Sequence, residues 1–394
     1  MLRPRTLFYI LALLFSSPAS THPSQPLPSL PISTNTQPKV ILDNDWNPTA
    51  FIAFLLPLYY NHAVLGLASD TANSWALQTG LHALASLEIA SLSSCIPVYK
   101  GSDYPLLQTA HTFQTYEVLH GKLPWKGVFA KENATNEQLG NDPTSGDPRR
   151  VVKEAFTTKE HYGFPNGSFA EGSAAEFLVR AVRENPGQVR IFSGGSLTNI
   201  ALAVRLDADF AKNTAGLWIM GGYVDRFLEQ AVGDVLRADL VSDINFVVDP
   251  EATKIVLTAD FPNITLVANS ANGVIPDQAF LDELVAVNDN PLSRLVRANQ
   301  PTYLPFWDET AAAVMVDREG VVLDEVEVYV DIDTSYHSPF YGYIRPYQAA
   351  LMPPGLRKVK YINKVNDTKV AEMIKTVVQF PPRDCSELGV GGGV

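Results

Sequence analysis

One stretch decides the reading: Val40-Ile41-Leu42-Asp43-Asn44-Asp45-Trp46-Asn47-Pro48-Thr49-Ala50. Three aliphatic residues in a row, with no polar alternation, signal a strand buried on both faces. The run breaks into a polar loop carrying two carboxylates. Pro48 marks a turn, and Ala50 to Tyr60 is then apolar enough for a buried helix, kinked or shortened by Pro57.

The same rhythm recurs outward. Val64 to Ala68 reads as a strand ending in Ser69-Asp70, and Trp75 to Ala90 as a helix with Leu77, Leu81, Leu84 and Leu87 on one side. Ile96 to Tyr99, Val189 to Phe192, Gly216 to Met220, Ile264 to Ala268 and Val326 to Val330 read as further strands. Ala174 to Arg183 and Leu197 to Arg205 read as helices, and Asp249-Pro250 opens another as N-cap and first helical residue. Strands alternating with helices predict an α/β fold: a Rossmann-like, open, mostly parallel sheet with helices on both faces. One domain is expected over residues 39–380. Residues 105–169 are poor in periodic apolar runs and read as an excursion from the sheet, a lid or surface subdomain.

The ends read differently. Residues 1–21 run basic, apolar, small, the order of a signal peptide, so the chain is expected to be secreted. Residues 22–38 form a Pro/Ser-rich leader, and 381–394 a flexible Gly-rich tail. Asn133, Asn166, Asn263 and Asn366 each head a glycosylation sequon. The two cysteines, Cys95 and Cys385, could pair in an oxidising compartment, and the sequence leaves this open. The net charge of −12 argues against a nucleic-acid polymer as partner. No apolar run nears the roughly 20 residues of a membrane span.

Ligands of open α/β sheets sit beyond the carboxyl ends of the strands, so the polar residues after each apolar run carry the chemistry. Asp43-x-Asp45 suggests oxygen ligands for a hard cation. An EF-hand is excluded by Pro48 where glycine is needed and Phe54 where glutamate is needed. The Gly-rich turns at Gly194 and Gly221 lack phosphate-loop spacing and read as close strand–helix packing. There is no Gly-x-Ser-x-Gly elbow and no zinc motif.

Together these blocks resemble the inosine-uridine preferring nucleoside hydrolases, in a divergent secreted fungal-type branch. That family opens with Asp-x-Asp-Pro-Gly-x-Asp-Asp after a strand, matched by Asp43-Asn44-Asp45-Trp46-Asn47-Pro48-Thr49-Ala50. Its later blocks are matched by Ala72-Asn73, by Gly195-Ser196-Leu197-Thr198-Asn199, by Met220-Gly221-Gly222, by Asp243-Ile244-Asn245 running on to Asp249-Pro250-Glu251-Ala252, and by Trp307-Asp308. The resemblance implies hydrolysis of the N-glycosidic bond of purine or pyrimidine ribonucleosides, small-molecule partners, and homodimers or tetramers. It implies one Ca²⁺. Asp45 matches a ligand that is also the general base toward the metal-bound water, Thr198 a backbone-carbonyl ligand and Asp308 the late carboxylate ligand. Asp43 could add charge to that site. Asn73, Met220, Asp243 and Asn245 match positions around the ribose.

Departures cut the other way. Two family aspartates are Thr49 and Ala50 here, which removes charge from the metal site. Asn44 or Asn47 could supply neutral oxygens, and Asp70 further charge. Trp307 stands where the family often has a leaving-group histidine, so it can stack on a base but cannot donate the same proton. His120-Gly121 resembles another family block but lies in the divergent excursion. Two alternatives stay open: a weakened nucleoside- or sugar-binding protein on the same scaffold, or a hydrolase of another glycoside, with Trp46 and Trp307 reshaping the pocket.

Overall fold

The computed structural model describes residues 37–388 except 124, 136–139, 157–162, 226–227, 233–242 and 337. The expected signal peptide, nearly all of the leader and the end of the tail lie outside the described residues.

Nine strands form one sheet: β1 (Lys39–Asn44), β2 (Ala63–Ser69), β3 (Val98–Lys100), β4 (Val189–Ser193), β5 (Gly216–Met220), β6 (Ile264–Val267), β7 (Val322–Ile332), β8 (Ile344–Tyr347) and β9 (Lys358–Val365). Their order is β3-β2-β1-β4-β5-β6-β9-β7-β8. Pairings from β3 across to β9 are parallel. β7 is antiparallel to both β9 and β8. The mostly parallel α/β expectation holds, with an antiparallel edge that the sequence did not announce.

Both faces are covered, and the strands show why they read as unbroken apolar runs. Val40 and Leu42 belong to one core cluster and Ile41 to the other. Phe192 and Ile191 divide in the same way. A period of two sends successive side chains to opposite faces, so a strand buried on both sides has no polar position to spare. One face is packed by the helices Ile52–Tyr59 and Trp307–Val316, the other by Ala174–Glu184, Thr198–Leu206 and Pro250–Thr258. Pro57 sits inside its helix. Asp249 caps Pro250–Thr258 as expected, its carboxylate accepting from Ala252 N at 3.0 Å.

The chain runs from β1 outward through β2 and β3, then returns to place β4 on the other side of β1. That reversal opens a crevice at the carboxyl ends of β1 and β4, the place where such sheets bind ligands.

The excursion contributes the helix Ala110–His120 and short helical turns, and none of its described residues joins the sheet. Its Phe113, Val128 and Phe129 form a small core with Ala72 and Trp75 of the body. Cys95 and Cys385 form a disulfide with their Cα atoms 5.8 Å apart. Among the described residues no helix is long and apolar enough to cross a membrane.

Candidate active site

The crevice holds a cavity of about 270 Å³. Asp45 enters it from the loop after β1, Asn73 from the loop after β2, and Met220 from the end of β5. Asp243 and Asn245 come from the start of the short helix Ile244–Val248. Trp307 and Asp308 open the helix Trp307–Val316. These seven, scattered over 264 positions, therefore share one site.

The β1 loop is held from within. Asn44 Oδ1 accepts from Asp45 N at 2.8 Å, and Asn44 Nδ2 donates to Asp308 at 3.2 Å. Asn47 Oδ1 accepts from Thr49 N and Ala50 N at 2.9 and 3.0 Å, folding the turn that leads into the first helix. Both asparagine oxygens accept from backbone N–H groups of this loop. The expectation that Trp46 reshapes the pocket is corrected. Trp46 is buried, donates to Ala68 O at 2.7 Å and packs on Phe54, so it anchors the loop and does not shape the cavity.

Asp45 is fastened by Asn73 N, which donates to its Oδ2 at 2.8 Å. Burial raises the pKa of Asp45, and the neighbouring Asp308 charge raises it further. Burial also pushes Asp308 to about 7. Asn245 Nδ2 donates to Met220 O at 3.1 Å and Gly194 O at 3.3 Å, tying the ends of β5 and β4 together. Asp243 caps the helix of Asn245 through that residue's N–H at 2.9 Å.

Neither Thr198 nor Asp43 lines the cavity. Thr198 Oγ1 donates to Asp249 at 2.7 Å. Asp43 Oδ1 accepts from Asn199 Nδ2 at 2.8 Å, its Oδ2 has no partner, and burial lifts it to about 7. Asp70 is buried, and its pKa is raised by burial and then by Asp43, Asp45 and Asp308, against a smaller lowering by the Ser196 backbone N–H. His120 lies outside the cavity.

The site's unbalanced carboxylates and all-oxygen donor set fit a hard cation in charge and chemistry. They do not make a complete cage. Among the described residues no three His, Cys, Asp or Glu side chains gather as a metal-binding group. Ala50 brings no oxygen where the family has a carboxylate, and Thr49 Oγ1 sits 3.1 Å from Gln300 Oε1.

Sequence reading missed part of the wall. Trp125, from the excursion, meets Trp307 edge-on with ring centres 5.8 Å apart, and both line the cavity. Asn272 accepts from Trp307 Nε1 at 2.8 Å, and Tyr223 and Gln300 complete this side. A lone tryptophan in a polar excursion was the available signal for Trp125; Asn272 and Gln300 carried none.

A family model, inosine-uridine preferring nucleoside hydrolase, matches residues 40–372. The chain belongs to this family. An uncharacterised protein of Schizosaccharomyces pombe is 34% identical over 82% of the chain and 80% of its own length. A probable uridine nucleosidase 2 of Arabidopsis thaliana is 28% identical over 63% of the chain and 64% of its own. A plant nucleoside hydrolase structure superposes with a TM-score of 0.67 at 21% identity, covering 88% of this chain and all of that one. An inosine-guanosine nucleoside hydrolase superposes with 0.64 at 19%, covering 87% and 99%. These structures share the fold. Members of the family are nucleoside hydrolases, typically metal-binding, so this nucleoside hydrolase-family chain is an enzyme of N-glycosidic hydrolysis acting on small-molecule nucleosides.

Proposed function

We propose that the chain is a secreted hydrolase of purine or pyrimidine ribonucleosides in which Asp45 is the general base. The carrying observation is the placement of Asp45 in one cavity with Asp308, Asn73, Asp243, Asn245 and Trp307. A bound Ca²⁺ would be held by Asp45 and Asp308, which share the cavity, and it would supply an acidified water.

The chain's own groups then do the rest. Asn73 N–H, donating to Oδ2 at 2.8 Å, keeps the Asp45 carboxylate aimed as a base. Asn73, Asp243 and Asn245 are the polar groups suited to the ribose hydroxyls. Breaking the ribose–base bond leaves positive charge on the sugar, which the Asp45 and Asp308 side of the cavity stabilises. The departing base meets the Trp125–Trp307 wall. Among the described residues no histidine lines the cavity, and that wall offers aromatic packing to the base.

Support for secretion is the signal-like N-terminus together with exposed sequons at Asn133 and Asn166. Asn263 and Asn366 are half-buried, and Asn366 is occupied in capping the helix Asp367–Gln379.

The test is release of free ribose from inosine and uridine, with and without chelator. Wild type is expected to release ribose. Asp45→Asn is expected to lower the rate by about 10²–10⁴ at unchanged thermal stability, the range a general base supplies. Absence of release under any divalent ion would favour the second reading, a binding protein, for which the Thr49 and Ala50 replacements speak.

A further inference from the structure

The helix Ala76–Ile89 lies outside the cavity, yet its buried face carries polar side chains, two of which reach into the excursion. Gln78 and His82 are one turn apart and wholly inaccessible to solvent. Both reach across to residues of the excursion. His82 Nε2 lies 2.8 Å from Asp142 Oδ1, and Gln78 Nε2 donates to the same oxygen at 3.0 Å. Gln78 also accepts from Val152 N at 3.0 Å and donates to Val152 O at 3.2 Å. The His82 ring stacks on Phe156, centres 4.3 Å apart and planes 17° apart.

The fastening continues toward the cavity. Ser74 Oγ donates to Pro143 O at 2.8 Å. Glu132 accepts from Thr144 N at 3.1 Å and pairs with Arg150, which joins the Asp142 segment to the segment carrying Gly127 to Phe129. Val128 N donates to Ala72 O at 2.9 Å, beside the pocket residues Trp125 and Asn73. A buried polar pair on a helix face is costly unless satisfied, so its partners are held tightly.

We propose that His82, with Gln78, is a positioning residue for this enzyme. Through Asp142 it holds the excursion against the body, so that Trp125 stands as a fixed wall of the cavity. Trp125 is thereby a permanent part of the substrate site. This rests on the nucleoside reading only for its kinetic consequence; the geometric consequence stands apart from it.

The test uses the purified full chain, as wild type, His82→Ala, His82→Gln and Asp142→Asn. The glutamine retains an N–H donor near the ring's Nε2 position, and Asp142→Asn acts from the half-exposed side. Two quantities are read: amide exchange in residues 126–132 and 142–152, and KM for nucleosides beside inhibition by free ribose. His82→Ala is expected to speed exchange in both segments by about tenfold or more, since it removes a buried hydrogen bond and its stacked ring. KM should rise by a similar factor while ribose inhibition changes little, because the displaced wall faces the base. His82→Gln should restore most of both effects, and Asp142→Asn should reproduce part of them. Unchanged exchange in 126–132 overturns the proposal, as does a fall in kcat alone that follows the folded fraction. If wild type hydrolyses no nucleoside, the activity reading fails and the exchange measurement alone decides the positioning role.

Discussion

Asp45, Asp43, Asp70 and Asp308 show what burial does to acids placed near one another. Each is pushed toward its protonated form mainly by desolvation. Asp43 and Asp308 rise from 3.8 to about 7, and Asp249 to about 6. Between pH 4 and 7 the folded chain therefore binds more protons than the unfolded chain. That sign makes stability fall as pH rises through this window, present in full below the unfolded pKa and lost above the folded one. In chelator, thermal unfolding followed by fluorescence should shift down by several degrees between pH 5 and pH 8. Saturating Ca²⁺ should shrink the shift, because a cation beside Asp45 and Asp308 favours their ionised forms. At this scale the sequence marked Asp45, Asp308, Asn73, Met220, Asp243 and Asn245, all of which line the cavity. It left Asn44, Asn47 and Trp46 undecided, because whether an amide oxygen meets a metal or a backbone N–H depends on the loop's path.

Among elements, the turn from β4 into the helix Thr198–Leu206 is tightly specified. A Cβ on Gly195 would stand 2.3 Å from Asp70 Oδ1 and 2.7 Å from its Cγ. The close approach expected here is real, but it is made to a buried carboxylate from the next loop and not to a helix. Gly195→Ala should cost about 1–3 kcal/mol, the usual penalty of overpacking, read as a lower denaturant midpoint at unchanged m-value. The central strands were legible because they are apolar on both faces. β9 was not. Its sequence Lys358-Val359-Lys360-Tyr361-Ile362-Asn363-Lys364-Val365 mixes lysines into the run, and its place between β6 and β7 comes from pairing across distant chain segments. β8 is only four residues long and contains Pro346 at the sheet's edge.

Over the whole molecule, Cys95 and Cys385 join positions 290 residues apart. Closing so long a loop restricts the unfolded chain, and disulfides of this kind contribute about 2–5 kcal/mol. Cys385→Ser should lower unfolding stability by an amount in that range, measured by denaturant titration without reductant, while ribose release at 25 °C stays near wild type. The bond lies away from the cavity lining, so the two readouts separate. What the sequence determined by itself is local and periodic: the apolar runs that become two-faced strands, the polar loops at their carboxyl ends, and the blocks that mark the family. The tertiary structure decided the rest: which loops converge, that the excursion is clamped through His82 and brings Trp125 to the cavity, that the cysteines meet, and that β7 turns antiparallel. The physical reason is that apolar periodicity is written into consecutive residues, whereas a shared cavity, a clamp or a crosslink is a meeting of distant segments that only the packed sheet brings within reach.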